Sequence, residues 1–298
     1  MQREPEESVR DPTGPEELTP DQQTEFSRII DTMTEAVTED PQSCLRFLDL
    51  LADNPDYGVN NSLLVLSQNP SATLIHSREE WERLGRRVRR DAQEIEIRVQ
   101  GIIELGVERR RGWVLGTVYD ASQTYGRKLV PRPDLAPDSP ETAELFRTFC
   151  AASPFGVHIF PKMTQDAVYG GWGHGISVSA DLPPDKAFAA LARETHHGLE
   201  TIGYSFRIYD REHGKLDAEC VSYMLCRSMG IPCAIPDVSG IASQYAGVAL
   251  KDRRTNLKAM RENFTIMRDK ILEALPPKEI VQSGQKKASG QRKRESVR

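Results

Sequence analysis

The spacing of apolar side chains changes along this 298-residue chain, and that change constrains the fold more than any other feature. Phe26, Ile29, Ile30, Met33, Ala36 and Val37 recur at three- and four-residue intervals, as do Leu45, Leu48, Leu51 and Ala52. That period puts the apolar groups on one stripe of a helix and predicts two amphipathic helices. Asn54-Pro55-Asp56 breaks the pattern, and Ser62 to Ser67 supplies the apolar side of a third helix closed by Asn69-Pro70. In the stretch from Ser77 to Arg90, Ser77 with Glu80 makes a capping box, Trp81 and Leu84 are apolar anchors, and Gly85 is a stop. Beyond it the period is two. Ile95, Ile97 and Val99 alternate with Glu94, Glu96 and Arg98, and Trp113, Leu115, Thr117 and Tyr119 repeat the alternation, which predicts antiparallel strands.

The proline-rich segment 131–140 reads as a linker, so the expected fold class is α+β with two domains, at 21–130 and 141–280. In the second, Ile176 to Ser179 is a short strand, and Leu182-Pro183-Pro184-Asp185 opens a helix with buried stripe Phe188, Leu191, Thr195 and Leu199. A helix from Lys215 to Met229 stops at Gly230, and a polar helix spans Asp252 to Leu275. Residues 1–20 form an acidic, proline-rich arm and 281–298 a basic tail; both lack core-forming side chains and read as disordered. No stretch approaches the length of an apolar membrane span and the start lacks a secretory pattern, so the expectation is a soluble cytoplasmic protein without a membrane partner. Five cysteines with no CxxC pair argue against a disulfide framework and a thiolate zinc site.

Arg193-Glu194-Thr195-His196-His197 occupies the frame of His-Glu-x-x-His, in which a helix turns two imidazoles toward one Zn²⁺ and the Glu serves as general base. Here the first imidazole is replaced by a permanent cation that cannot ligate a metal. His196 offers no shifted pair, because its partner four residues earlier is Ala192.

Two blocks resemble a known family. Tyr57 to Leu64, Gln68 to Thr73, Trp81, Leu84-Gly85-Arg86 and Val118 to Thr124 are similar to the N-terminal, single-stranded-DNA-associated domain of ArdC-type antirestriction proteins. Gly170-Gly171-Trp172, Ile176 to Val178, Leu191 to His197 and Leu216-Asp217-Ala218-Glu219 resemble the zincin-like metallopeptidase half of those proteins, related to the ImmA/IrrE group. The resemblance implies a helix-plus-antiparallel-sheet N-terminal module and a zincin-like helical C-terminal domain with a small sheet. It also implies His197 as second metal ligand, Glu194 as general base if the site is active, and Glu219, or alternatively Asp217, as third ligand. Where relatives carry histidine this chain has Arg193, which leaves the site one imidazole short. A guanidinium there repels a metal cation by on the order of 4 kcal/mol at intermediate dielectric. Two readings stand. Arg193 replaces the missing cation by pairing with Glu219 or Asp217, and no cofactor binds; or His174 or His213 rebuilds a Zn site. Tyr223, one turn after Glu219, is either an oxyanion donor or a core aromatic.

For DNA contact the candidates are Arg83, Arg86, Arg87, Arg89 and Arg90, with Tyr57 and Trp81 as stacking rings and Asn60 and Gln68 as sugar or base contacts. Against that, Glu79, Glu80 and Glu82 dilute the basic run, and Trp81 suits a core. The functional expectation is a single-stranded-DNA-binding protein of the antirestriction type with a degenerate peptidase half. The rivals are an active zinc metalloprotease and a non-catalytic scaffold.

Overall fold

The computed structural model describes residues 17–105, 108–170, 175–203 and 210–276. Residues 1–16 of the arm, His174 and the basic tail lie outside the described residues, whereas residues 17–20, expected as the end of the arm, belong to the fold, with Leu18 buried in the core.

Three helices open the fold: α1 (Pro20–Glu39), α2 (Pro41–Asp53) and α3 (Val59–Gln68). Thr19 and Gln22 form a reciprocal capping box at the start of α1, and the Asp40 carboxylate caps α2 by accepting from Ser43 N at 2.7 Å. After β1 (Ile75–His76) comes α4 (Arg78–Arg83), opened by the expected Ser77–Glu80 box. It is less than two turns long. Gly85 takes φ +76° and sends Arg86–Val88 into strand β2, so the arginines that follow lie on and beyond a strand. β2 pairs with β5 (Thr124–Gly126), which follows a 3₁₀ turn at Ala121–Gln123.

The two alternating segments form a long antiparallel ribbon, β3 (Ile95–Leu105) with β4 (Glu108–Asp120), and β1 adds to β4 for a sheet order β1-β4-β3. The outer edge of β3 is closed by α3. Asn61 donates to Arg98 O at 2.8 Å and accepts from Arg98 N at 3.1 Å; Gln68 donates to Glu96 O at 2.8 Å and accepts from Glu96 N at 2.9 Å. Two carboxamides thereby take over the partners a neighbouring strand would have supplied.

The second half comprises α5 (Pro140–Ala152), β6 (Val157–Phe160), β7 (Ala167–Tyr169), β8 (Ile176–Ser179), α6 (Pro184–Gly203), α7 (Lys215–Met229), α8 (Ile241–Gln244) and α9 (Leu250–Ala274). Its sheet has β8 at the centre, parallel to β6 and antiparallel to β7. The whole is α+β, as the periods imply. One apolar core runs through both halves, joining Phe47, Leu48 and Leu63 to Phe188, Leu225 and Phe264. Ion pairs reinforce the joint: Arg227 reaches Asp49 at 3.1 Å and Asp53 at 2.8 Å, and Arg254 reaches Asp31 at 2.6 Å.

The proline-rich segment is packed against this joint. Leu135 N donates to Gly230 O at 2.9 Å and Arg132 pairs with Asp53. Gly230 ends α7 with φ +74°, and a Cβ there would overlap the Pro133 carbonyl oxygen. Gly230→Ala is therefore expected to cost about 2 kcal/mol or more, from left-handed strain plus the overlap. Urea denaturation checks this, with Gly156→Ala as the control, since its added methyl meets only His158 at 3.8 Å.

Candidate functional site

α6 packs between α7 and the β7–β8 edge, and its register turns Glu194 and His197 toward a cavity of about 230 Å³. Gln165, Arg193, Arg211, Glu212, Lys215 and Glu219 complete the wall. Glu194 is 5% exposed, and both carboxylate oxygens are engaged. Oε2 accepts the Tyr169 backbone N–H at 2.7 Å, and Oε1 is ion-paired with the Arg211 guanidinium. The guanidinium on Glu194 is thus that of Arg211, not Arg193. Arg193 turns to Asp166 at 3.5 Å rather than to Glu219 or Asp217. Nothing in the sequence pointed to Arg211, a single basic residue in a charged turn without a diagnostic spacing.

His197 is pushed down to about 3 by burial, then by the positive charges of Arg211, His196 and Arg193, so its imidazole is neutral. His196 faces the other way, into the interior, where its Nδ1 lies 3.1 Å from the Asn263 amide nitrogen; burial pushes it down to about 4.

Of the two acidic residues considered as third ligand, Glu219 lines the cavity and Asp217 does not. The Asp217 carboxylate accepts from Gln244 at 2.7 Å and from Asn256 at 2.8 Å, tying α7 to α8 and α9, and burial raises its pKa. Tyr223 donates to Asp49 at 2.6 Å, toward α2; burial and that carboxylate push its hydroxyl up to about 12. His213 is exposed and is not part of the cavity wall.

These residues do not fit a divalent ion. Arg193, Arg211 and Lys215 already balance the three carboxylates of the wall, Glu194 is committed to Arg211, and among the described residues no three His, Cys, Asp or Glu side chains converge on a possible metal position.

The DNA candidates divide sharply. Trp81 has no exposed surface; its indole N–H donates to Tyr119 O at 2.9 Å in a small cluster with Val88. Gln68 is occupied with the β3 edge, Tyr57 is half-buried, which raises its pKa, and the Asn60 Oδ1 is buried with no hydrogen-bond partner among the described residues. Arg86 braces the β2–β5 pair through Thr124 at 2.8 Å and Arg127 O at 2.6 Å. Arg83, Arg87, Arg89 and Arg90 are exposed.

A different surface brings aromatic, cationic and amide side chains together. Opposite pairs Arg98–Leu115, Gln100–Trp113 and Ile102–Arg111 share the outer face of the β3–β4 ribbon. Trp113 is 43% exposed there, with the Arg98 guanidinium 5.4 Å from its ring centre. The alternation of Trp113, Leu115, Thr117 and Tyr119 marks a strand in the sequence but does not tell which of these rings is exposed.

No family model matches the chain, and no curated protein matches it. Among solved structures, the fold is similar to that of an antirestriction protein. That protein is the antirestriction ArdC protein from the R388 plasmid. Its Mn(II)-bound form superposes with a TM-score of 0.50 at 21% identity, over 85% of this chain and 97% of that one. Its metal-free form gives 0.49 at 20% identity, over 84% and 97%. The chain has an ArdC-like fold. No helix among the described residues is long and apolar enough to cross a membrane.

Proposed function

We propose that this chain is an antirestriction protein of the ArdC type that binds single-stranded DNA on the outer face of the β3–β4 ribbon and does not hydrolyse peptides. The observation that carries the reading is the exposed Trp113 ring with Arg98 against it and Gln100 directly opposite. Unpaired bases present π-faces that stack on an indole, arginines meet the phosphates between them, and a carboxamide reaches base edges. A duplex offers no such faces along its length. The exposed Arg83, Arg87, Arg89 and Arg90 add positive charge in the same part of the chain. The ArdC-like fold and the sequence blocks quoted above support the antirestriction assignment.

Against hydrolysis stands the state of Glu194, which as a general base must accept a proton from water. Its carboxylate instead holds Arg211 and the Tyr169 N–H, and the position before it is a guanidinium.

Fluorescence anisotropy with a labelled single-stranded oligonucleotide across a salt series tests the DNA reading. The expected result is binding at low salt that weakens with a log–log slope of about 0.7 per neutralised phosphate. Absence of binding at low salt would refute it.

A further inference from the structure

We infer that Arg211 is the resident cation of the α6 cavity: its guanidinium is the counter-charge of Glu194 and holds positive charge beside the position a metal ion would take. The inference rests on the non-hydrolytic reading of the same site and says what supplies the positive charge there.

A carboxylate as buried as Glu194 needs a counter-charge. Arg211 supplies one permanently. It is delivered by a built turn. The Asp210 side chain accepts from Glu212 N at 3.1 Å and His213 N at 3.2 Å, and its carbonyl accepts from Gly214 N at 3.0 Å, immediately before α7 begins at Lys215. The turn thus fixes Arg211 between the start of α7 and the middle of α6. Tyr169 N–H donates to the second Glu194 oxygen, binding β7 to the same carboxylate. One ion pair therefore joins three elements, a task metal ions perform in other proteins, without dependence on chelators or metal supply.

This assignment separates two roles that the sequence merges. Arg193 removes a ligand. Arg211 occupies the carboxylate that remains. Restoring the histidine alone leaves Glu194 engaged and a cation beside any incoming metal, so Arg193→His is insufficient, whereas Arg193→His with Arg211→Ala both returns an imidazole and removes the guanidinium from Glu194.

The test uses the full chain dialysed against Mn(II) or Zn(II), with bound metal measured by mass spectrometry, affinity by titration, and thermal midpoints recorded with and without metal. Native protein and Arg193→His are expected to retain no stoichiometric metal. The double variant is expected to bind about a hundredfold or more tighter than Arg193→His, the scale of a like charge removed at close range in a medium of intermediate dielectric. A double-mutant cycle keeps the inference falsifiable if the double variant does not fold. Glu194→Gln is expected to lower the thermal midpoint of the native chain and to raise it in Arg211→Ala, where the carboxylate is otherwise left buried and unpaired.

Near-stoichiometric metal in native protein, equal loading of Arg193→His and the double variant, or strictly additive effects of Glu194→Gln and Arg211→Ala would each overturn the assignment. Casein cleavage by the native chain reads the non-hydrolytic assignment separately: cleavage by metal-free protein would overturn that reading alone, and metal-loaded native protein without cleavage would overturn the Arg211 assignment alone.

Discussion

Acidification from pH 6.5 toward pH 4 strips stability from this protein at up to roughly 2.7 kcal/mol per pH unit, with two adjacent histidines as the source. His196 and His197 have an ordinary value of 6.5 and are held in the fold at about 4 and about 3. Both folded values are depressed, so between them and 6.5 the unfolded chain binds the additional protons. The stabilising contribution is complete above pH 6.5 and is lost as pH falls toward the folded values. Each imidazole contributes a slope of about 1.4 kcal/mol per pH unit within its window.

Burial is the first cause of both shifts, and the neighbours do nothing to offset it. Asn263 donates to Glu200 Oε1 at 2.6 Å from the same amide nitrogen that faces His196 Nδ1, so a proton on Nδ1 would meet a donor. A proton on His197 would add a charge beside Arg211 and Arg193. Asp217 and Glu200 act in the opposite sense: burial raises both, so their protonation on acidification offsets part of the loss. Urea midpoints collected over this pH range give the slope. His196→Gln should reduce it to about half, since one of two groups of similar slope is removed. An undiminished slope would show that the acid sensitivity arises elsewhere.

How much of this architecture could be read from the chain depends on how local the signal is. The Ser77–Glu80 box, the Gly230 stop and the alternations from Ile95 to Val99 and from Trp113 to Tyr119 are each set by backbone chemistry within a few residues, and each structure is the one those residues imply. The short α4 was harder to read. Gly85 was recognisable as a stop, but the pairing of Arg86–Val88 with a strand almost forty residues later is a tertiary fact, and it removed the arginines from the helix face on which they would have clustered. The metal-helix frame was legible as a lost ligand. Its electrostatic resolution was not, because the pairing of Arg211 with Glu194 depends on where an irregular turn enters the cavity. The tryptophans make the same point from the other side: Trp81 and Trp113 both stand in amphipathic segments, and only the third dimension shows that Tyr119 and Val88 cover one while the ribbon exposes the other.

Trp113→Ala is accordingly expected to weaken single-stranded DNA binding by about 1–3 kcal/mol, roughly ten- to a hundredfold, the worth of one base stacked on an aromatic ring. The fold should survive, because the ring is largely at the surface and Val114, the buried neighbour, is retained. Trp81→Ala reverses the pattern: it removes a fully buried indole and its bond to Tyr119 O, costing about 3–5 kcal/mol of stability, and reaches DNA only through unfolding. Arg98→Ala should fall between, since it takes away both a charge and the group stacked on Trp113. Arg87→Ala and Arg89→Ala act on the salt slope, each reducing it by about 0.7 if it contacts a phosphate, with the same loss for every base sequence. Anisotropy measured at matched salt, with circular dichroism to verify folding, distinguishes these cases. Native-like affinity in folded Trp113→Ala would move the DNA site off the ribbon, because the exposed ring is what makes that face suit unpaired bases rather than any polyanion.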